Sequence, residues 1–360
     1  MGEIRRLKFI EQSASVSVWD GVTYDTSWQN NTTVDSDGYT VAHITSAEQA
    51  VTLWRPDVVH NWLNGISNKK GKVVLDTSVQ FNANPDNWIN HVEESWQYDC
   101  WTHNSGIFIL DGQFHSVIGL FCRTPQSDNR GCFFTLEGSG DTIKNIRFHK
   151  CSSSITGGNA RSNILWILNS YRQINLENVI FDHLYLYNRG SSYCQIGINT
   201  FNSSYQKITA NNMVFSNVIV DVTRSYIDPG AYSLLGGSLT NWYSNLVQYL
   251  DADNIIFHNC SASTQTVYLI GAKNGSKIPT QDEFKVTNVE YLDNTGLTAN
   301  YGSEASSINS MVSDYNAISD EDINSTGDGF DGVPTGSVEY YLLAPTDLAK
   351  GSGLRYEVSA

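Results

Sequence analysis

The chain has 360 residues, only 16% of them charged and 12% aromatic, with 28 glycines and a formal net charge of −15. Such a composition fits a turn-rich, all-β protein and not a disordered one. The acidic balance argues against nucleic acid and against an anionic membrane surface as partners, since both reward clustered Lys and Arg.

Residues 1–71 read as a lead-in and a helical cap. Turn signals stand at Asp20-Gly21 and Asp37-Gly38. The start, MGEIRRLKFIEQ, has charges but no apolar run behind them, so no secretory signal is expected. No stretch is long and apolar enough to span a bilayer. Thr45 with Glu48 predicts a capping box, with Ala47, Ala50, Val51 and Trp54 on one helical face. Pro56 interrupts the run, and Val58, Val59, Trp62 and Leu63 continue it to Gly65. Ahead of a stacked β-structure, such a helix would cover an apolar end otherwise left in water. Lys72 to Phe81 reads as the first strand, and residues 82–105 as a long excursion from the coil.

Between Thr142 and Asp293 one pattern recurs five times: Asn, two residues, then an aromatic. The pairs are Asn145 with Phe148, Asn178 with Phe181, Asn212 with Phe215, Asn254 with Phe257, and Asn288 with Tyr291, at intervals of 33, 34, 42 and 34 residues. Apolar residues stand two before each Asn (Ile143, Leu176, Ala210, Ala252, Val286) and one after it (Ile146, Val179, Met213, Ile255, Val289). Positions three apart cannot share a face of a straight strand, so the chain must turn at the Asn, a residue that tolerates left-handed backbone. Polar pairs follow each aromatic, His149-Lys150, Asp182-His183, Ser216-Asn217 and His258-Asn259, before apolar residues resume at Cys151, Leu184, Val218 and Cys260. That predicts a second corner, with both thiols inside as small hydrophobes. The histidines are expected at exposed corners. Strand, corner, strand, corner, strand is a single-stranded, right-handed parallel β-helix, expected over residues 72–295. An antiparallel sandwich has no reason to repeat its corner chemistry every ~34 residues.

The stretch Ile107-Phe-Ile-Leu-Asp-Gly-Gln-Phe-His-Ser-Val-Ile-Gly-Leu-Phe121, with Gly131-Cys-Phe-Phe134 and Thr142-Ile-Lys-Asn-Ile-Arg-Phe148, resembles the GLUG-type repeats of bacterial surface proteins. Trp19-Asp-Gly21, Asp25-Thr-Ser-Trp28, Ile44-Thr-Ser-Ala-Glu48 and Lys72-Val-Val-Leu75 follow in that family's order. Gln113 and Phe114 replace its usual small residues before His115. The resemblance implies a β-helix-like solenoid and adhesion or surface presentation more than catalysis. Residues 296–360 read as a loop-rich segment followed by a closing segment. Tyr340-Tyr-Leu-Leu-Ala-Pro-Thr-Asp-Leu-Ala-Lys-Gly-Ser-Gly353 resembles the stretch that covers the last rung of pectate-lyase-like β-helices.

No catalytic constellation emerges. Asp320, Asp322, Asn324, Thr326, Asp328 and Asp331 follow a calcium-loop spacing, but Ser325 stands where the loop needs Gly and Asp331 where it needs Glu. These departures favour a solvated acidic loop over a Ca2+ site, and no cofactor is required. Tyr171, Tyr185, Tyr187, Tyr193, Trp242 and Tyr243 are aromatics beyond the inward ladder and the candidates for glycan contact. The cross-rung set Lys144, Glu177, Asn211, Asp253 and Thr287 reads as a solvated face.

The expected function is a non-enzymatic bacteriophage virion protein, an appendage or decoration, presenting a rigid surface to host glycans and contacting other virion proteins. A homotrimer is an open arrangement for it, although no heptads specify one. A tailspike-like polysaccharide lyase or hydrolase, and a bacterial cell-surface or secreted adhesin, are the alternatives.

Overall fold

The computed structural model describes residues 5–8, 24–54, 58–81, 106–124, 133–136, 138–155, 164–167, 172–188, 196–200, 206–222, 232–238, 248–262, 267–273, 284–292, 294–298, 338–342 and 354–358. The chain begins with β1 (Arg5–Lys8), a 3-10 turn (Ser27–Gln29), β2 (Thr32–Val34) and β3 (Thr40–Ile44), then α1 (Ala47–Leu53) and α2 (Val58–Gly65).

The helical cap forms one residue later than the sequence suggests. Ser46, not Thr45, caps α1: its hydroxyl accepts from the Gln49 amide, while the Gln49 side-chain oxygen accepts from the Thr45 amide at 2.8 Å. The Gln49 carboxamide oxygen reaches past the cap to the Thr45 amide and hydroxyl, so Thr45 is held as a donor before the helix and the Ser46 hydroxyl is the one that meets the Gln49 amide. The apolar face of α1 is spent inside the molecule. Ala50, Val51, Leu53 and Trp54 are buried in one core with Phe81, Phe133 and Phe134, and the Trp54 indole donates to the Phe133 carbonyl.

β4 (Lys70–Leu75) and β5 (Val79–Gln80) come next. The expected single strand from Lys72 is therefore two strands with a bend between them. The sheet also starts earlier than expected. β3 pairs in parallel with β4, and β2 adds antiparallel to β3, so part of the lead-in is already built into the solenoid.

The coils follow as β6 (Ile107–Ile118), β7 (Phe121–Thr124), β8 (Phe134–Leu136), β9 (Asp141–Ile155), β10 (Leu165–Ile167), β11 (Arg172–Asn188), β12 (Ile196–Thr200) and β13 (Gln206–Val222). They continue as β14 (Tyr232–Ser238), β15 (Gln248–His258), β16 (Ser261–Ala262), β17 (Val267–Lys273), β18 (Phe284–Leu292) and β19 (Leu297–Thr298). Last are β20 (Val338–Leu342) and β21 (Leu354–Val358), which form a small antiparallel sheet with β1.

Two parallel sheets make the solenoid. One runs β18-β15-β13-β11-β9-β6-β4-β3, with β2 on its edge, and the other runs β19-β17-β14-β12-β10-β8. Every described pairing from β3 to β19 is parallel, and β9, β11 and β13 each bend twice while staying in register. The fold is thus a single-stranded parallel β-helix with a helical cap.

Both expected corners are present. Asn145, Asn178, Asn212 and Asn254 have φ of 52, 53, 55 and 57°, and the second corner at Lys150, His183, Asn217 and Asn259 has φ of 52, 58, 53 and 50°. At the first corner the side chains form a ladder. Asn178 Nδ2 donates to Asn145 Oδ1 at 2.8 Å, Asn212 to Asn178 at 3.1 Å, and Asn254 to Asn212 at 3.0 Å. Asn259 repeats the bond at the second corner, donating to Asn217 Oδ1 at 2.6 Å.

The ladder starts on Asp111, whose Oδ1 accepts from Asn145 Nδ2 at 3.0 Å. This first coil departs from the rest, as the unusual Gln113 and Phe114 suggest. Both take positive φ, 46 and 64°, and the register slips between Asp111 and His115. Gly112 is needed there, because a Cβ would stand 2.4 Å from the Asn145 carbonyl oxygen.

Inside the coil, Phe148, Phe181, Phe215 and Phe257 stack with centroids 5.4, 5.3 and 5.1 Å apart and ring planes 17, 22 and 11° from parallel. Tyr291 is in register with Phe257. The side chains of Asn288 and Tyr291 lie outside the described residues. Cys151 and Cys260 are buried free thiols in equivalent positions, and burial pushes each up to about 12.

Candidate functional site

Strand alternation sends every second side chain outward. Before the Asn corner, two outward rows climb the coils. One is Thr142, Asn175, Thr209, Asp251 and Lys285; the other is Asp111, Lys144, Glu177, Asn211, Asp253 and Thr287. Neighbours in a row stand one strand spacing apart, about 4.8 Å. Short polar contacts tie them: Asn175 to Thr142 at 3.3 Å, Thr287 to Asp253 at 2.5 Å, Lys144 to Asp111 at 3.4 Å and Lys207 to Asp251 at 3.5 Å. Glu177 and Asn211 are exposed in mid-face. The expected solvated face is therefore a flat, polar, mixed-charge surface fixed by the adjacent asparagine ladder.

Past the Asn corner the outward face differs. Arg147, Ile180, Val214 and Ile256 occupy one outward row and are 0, 0, 0 and 2% exposed, so this face is packed against other parts of the chain. Among the described elements, β21 lies against β13 and β15.

Within this covered region sits a charged cluster that the repeat pattern does not announce. Arg147 Nη2 donates to Asp182 Oδ2 at 2.5 Å, His149 Nδ1 lies 2.9 Å from the same oxygen, and His183 Nδ1 lies 2.7 Å from Oδ1. Asn217 Nδ2 adds a longer contact to Oδ1 at 3.4 Å. One carboxylate thus joins three successive coils.

Burial alone would push the Asp182 carboxyl up. The Arg147 guanidinium, followed by hydrogen bonds from His149 and His183, outweighs burial and holds the carboxyl well below the usual carboxylate range. For His149, burial and then the neighbouring Arg147 push the imidazole below its ordinary value against the pull of Asp182. His149 is therefore neutral at pH 7. Its Nδ1, also 2.9 Å from Arg147 Nη2, either accepts from Arg147 or donates to Asp182, one at a time.

His149, Asp182 and His183 offer atoms within 4.8 Å of one another, as ligands of a metal ion would. The residues nevertheless do not fit one. The Arg147 guanidinium already occupies the cation's place beside Oδ2 and His149 Nδ1, and a second buried positive charge there would have no counter-ion among the described residues. The arrangement is an electrostatic staple between coils.

The sequence-derived candidates fare unevenly. The corner asparagines and stacked phenylalanines come together as expected, but as framework. Tyr185 is 7% exposed and its hydroxyl donates to Asp221 at 3.0 Å, so little of its ring is left for a sugar. Tyr171, Tyr193, Trp242 and Tyr243, and the calcium-loop residues Asp320, Asp322, Asn324, Asp328 and Asp331, lie outside the described residues. His149 is not an exposed corner residue: its side chain is 13% exposed, because it precedes the corner and turns toward Asp182. His183 is the corner residue itself.

Comparison of the chain with protein-family models, with curated proteins and with solved structures finds no match. No described helix is long and apolar enough to cross a membrane.

Proposed function

We propose that the chain is a non-enzymatic structural protein of a bacteriophage particle, an appendage or decoration, whose solenoid presents the polar rows before the asparagine corner to host-surface glycans. The observation that carries this reading is the flat face itself. Hydroxyl, carboxamide, carboxylate and ammonium groups repeat there at strand spacing on a backbone pinned by the Asn145 to Asn254 ladder. Groups so fixed lose little side-chain and loop entropy when a repeating polar chain lies along them. The resemblance to GLUG-type surface proteins supports presentation over catalysis, and placement in a virion is the finer part of the proposal.

The test is binding of immobilised protein to capsular and O-chain polysaccharide preparations. The triple variant E177A/N211A/D253A removes three outward polar groups of the face, of which Asp253 also accepts from Thr287 on the next coil. If each lost hydrogen bond to the ligand contributes about 1 kcal/mol, binding falls roughly 100-fold, while stability falls by no more than the single Thr287 bond, about 1 kcal/mol. Undiminished binding by the variant, or release of new reducing ends from the polysaccharide by the wild-type protein, would overturn the reading.

A further inference from the structure

At the capped end of the solenoid a groove of about 400 Å3 opens between the 3-10 turn, the β2-β3 hairpin and the end of α2. That volume lies in the range of small-molecule sites, roughly 300–1,000 Å3. Its lining is chemically uniform. Of the nine described lining residues, three carry carboxamides (Gln29, Asn30, Asn61), three carry hydroxyls, one is Trp62, and none is charged.

The groove is held open by packing that does not depend on a ligand. Trp62 stands edge-on to Trp28 with centroids 5.2 Å apart. Behind it is Gly71, where a Cβ would come within 2.6 Å of the Trp62 ring. Gln29 is anchored by donating from Nε2 to the Val58 carbonyl at 3.2 Å, which commits one of its donors and leaves its carbonyl oxygen as an acceptor. Trp62 is 7% exposed, so its ring is packed beneath the groove as support and offers only an edge, while Asn30 and Asn61 are exposed at the rim.

Uncharged amides and hydroxyls, with no ionised side chain among the described lining residues, give no ion to select a phosphate, a carboxylate or a cation. They match a neutral ligand with many hydroxyls, each able to donate and accept. We infer that this groove is a binding site for an uncharged saccharide of one or two rings. The inference goes beyond the glycan reading above by assigning a second, separate site. It uses none of the solenoid-face residues, so the two can fail separately.

The full chain is titrated calorimetrically with glucose, galactose, N-acetylglucosamine and their β-linked disaccharides, with glucuronate as the charged control. Two groove variants are compared with E177A/N211A/D253A. N30A/N61A removes exposed amides, and G65L fills the groove from the end of α2, where a Cβ meets nothing within 4 Å. At least one neutral sugar is expected to bind and glucuronate is not. Both groove variants lose roughly tenfold or more in affinity at unchanged thermal stability, and the solenoid-face variant keeps it. The assignment is overturned if no neutral sugar binds by about 10 mM, above the millimolar range. It is equally overturned if the groove variants bind like wild type. Loss in the face variant alone would transfer the sugar to the solenoid and leave the proposed function standing.

Discussion

Replacing Arg147 with alanine is expected to cost about 3–5 kcal/mol, because it strips the cation from a carboxylate that has almost no water to turn to. Asp182 is 2% exposed and Arg147 is 0% exposed. The double change Arg147→Met with Asp182→Leu should recover part of the loss, since the row of Arg147 is already apolar at Ile180, Val214 and Ile256, whereas Asp182 stands in the row of His149 and Ser216 and its removal takes the acceptor from His149 and His183. Urea midpoints at pH 7 measure both, and a single-variant cost under about 1 kcal/mol, the range of exposed pairs, would contradict a buried staple.

The same cluster fixes the sign of the acid response. His149 has a folded value below 6.5, so between the two values the unfolded chain binds more protons and stability rises with pH. Its contribution is complete above pH 6.5 and is lost as pH falls below that. Asp182, depressed below 3.8, adds stability that is present above that value and is lost at still lower pH.

The second large effect is at the middle of the ladder. Asn212 has φ 55°, donates to Asn178 and accepts from Asn254. Alanine keeps a Cβ in left-handed backbone without the carboxamide that makes asparagine tolerant there, about 1 kcal/mol, and breaks two ladder bonds of about 0.5–1.5 kcal/mol each, for a total of about 2–4 kcal/mol. Glycine loses the bonds but not the backbone fit, so Asn212→Gly should be milder than Asn212→Ala by about 1 kcal/mol or more. Alanine tolerated as well as glycine would mean that the corner conformation is not what selects asparagine.

The ladders were legible because a solenoid demands the same solution from each coil. An Asn that must turn left-handed and bond its neighbour reappears at Asn145, Asn178, Asn212 and Asn254, and so do the stacked phenylalanines. The staple was not legible for the converse reason. Arg147 occupies a position that is Ile, Val and Ile in later coils, and its partner Asp182 is 35 residues away. The signal available was a charge breaking an apolar row beside a histidine, with an acid in the next coil. The cap was readable in kind but shifted by one residue, since Thr45 and Ser46 are both competent caps and only Gln49 decides between them. The groove draws its lining from three segments that no sequence period connects.

Disulfide trapping across the exposed face tests the stacking most directly. Glu177 and Asn211 are paired residues of adjacent parallel strands, as are Asn211 and Asp253. Paired positions stand about 4.8 Å apart, within disulfide reach, whereas positions two coils apart are not. Under mild oxidation, E177C/N211C and N211C/D253C should each give the cross-linked peptide by mass spectrometry, and E177C/D253C should not. A bridge between positions 177 and 253, or none between 177 and 211, would contradict parallel coils turned at the asparagines.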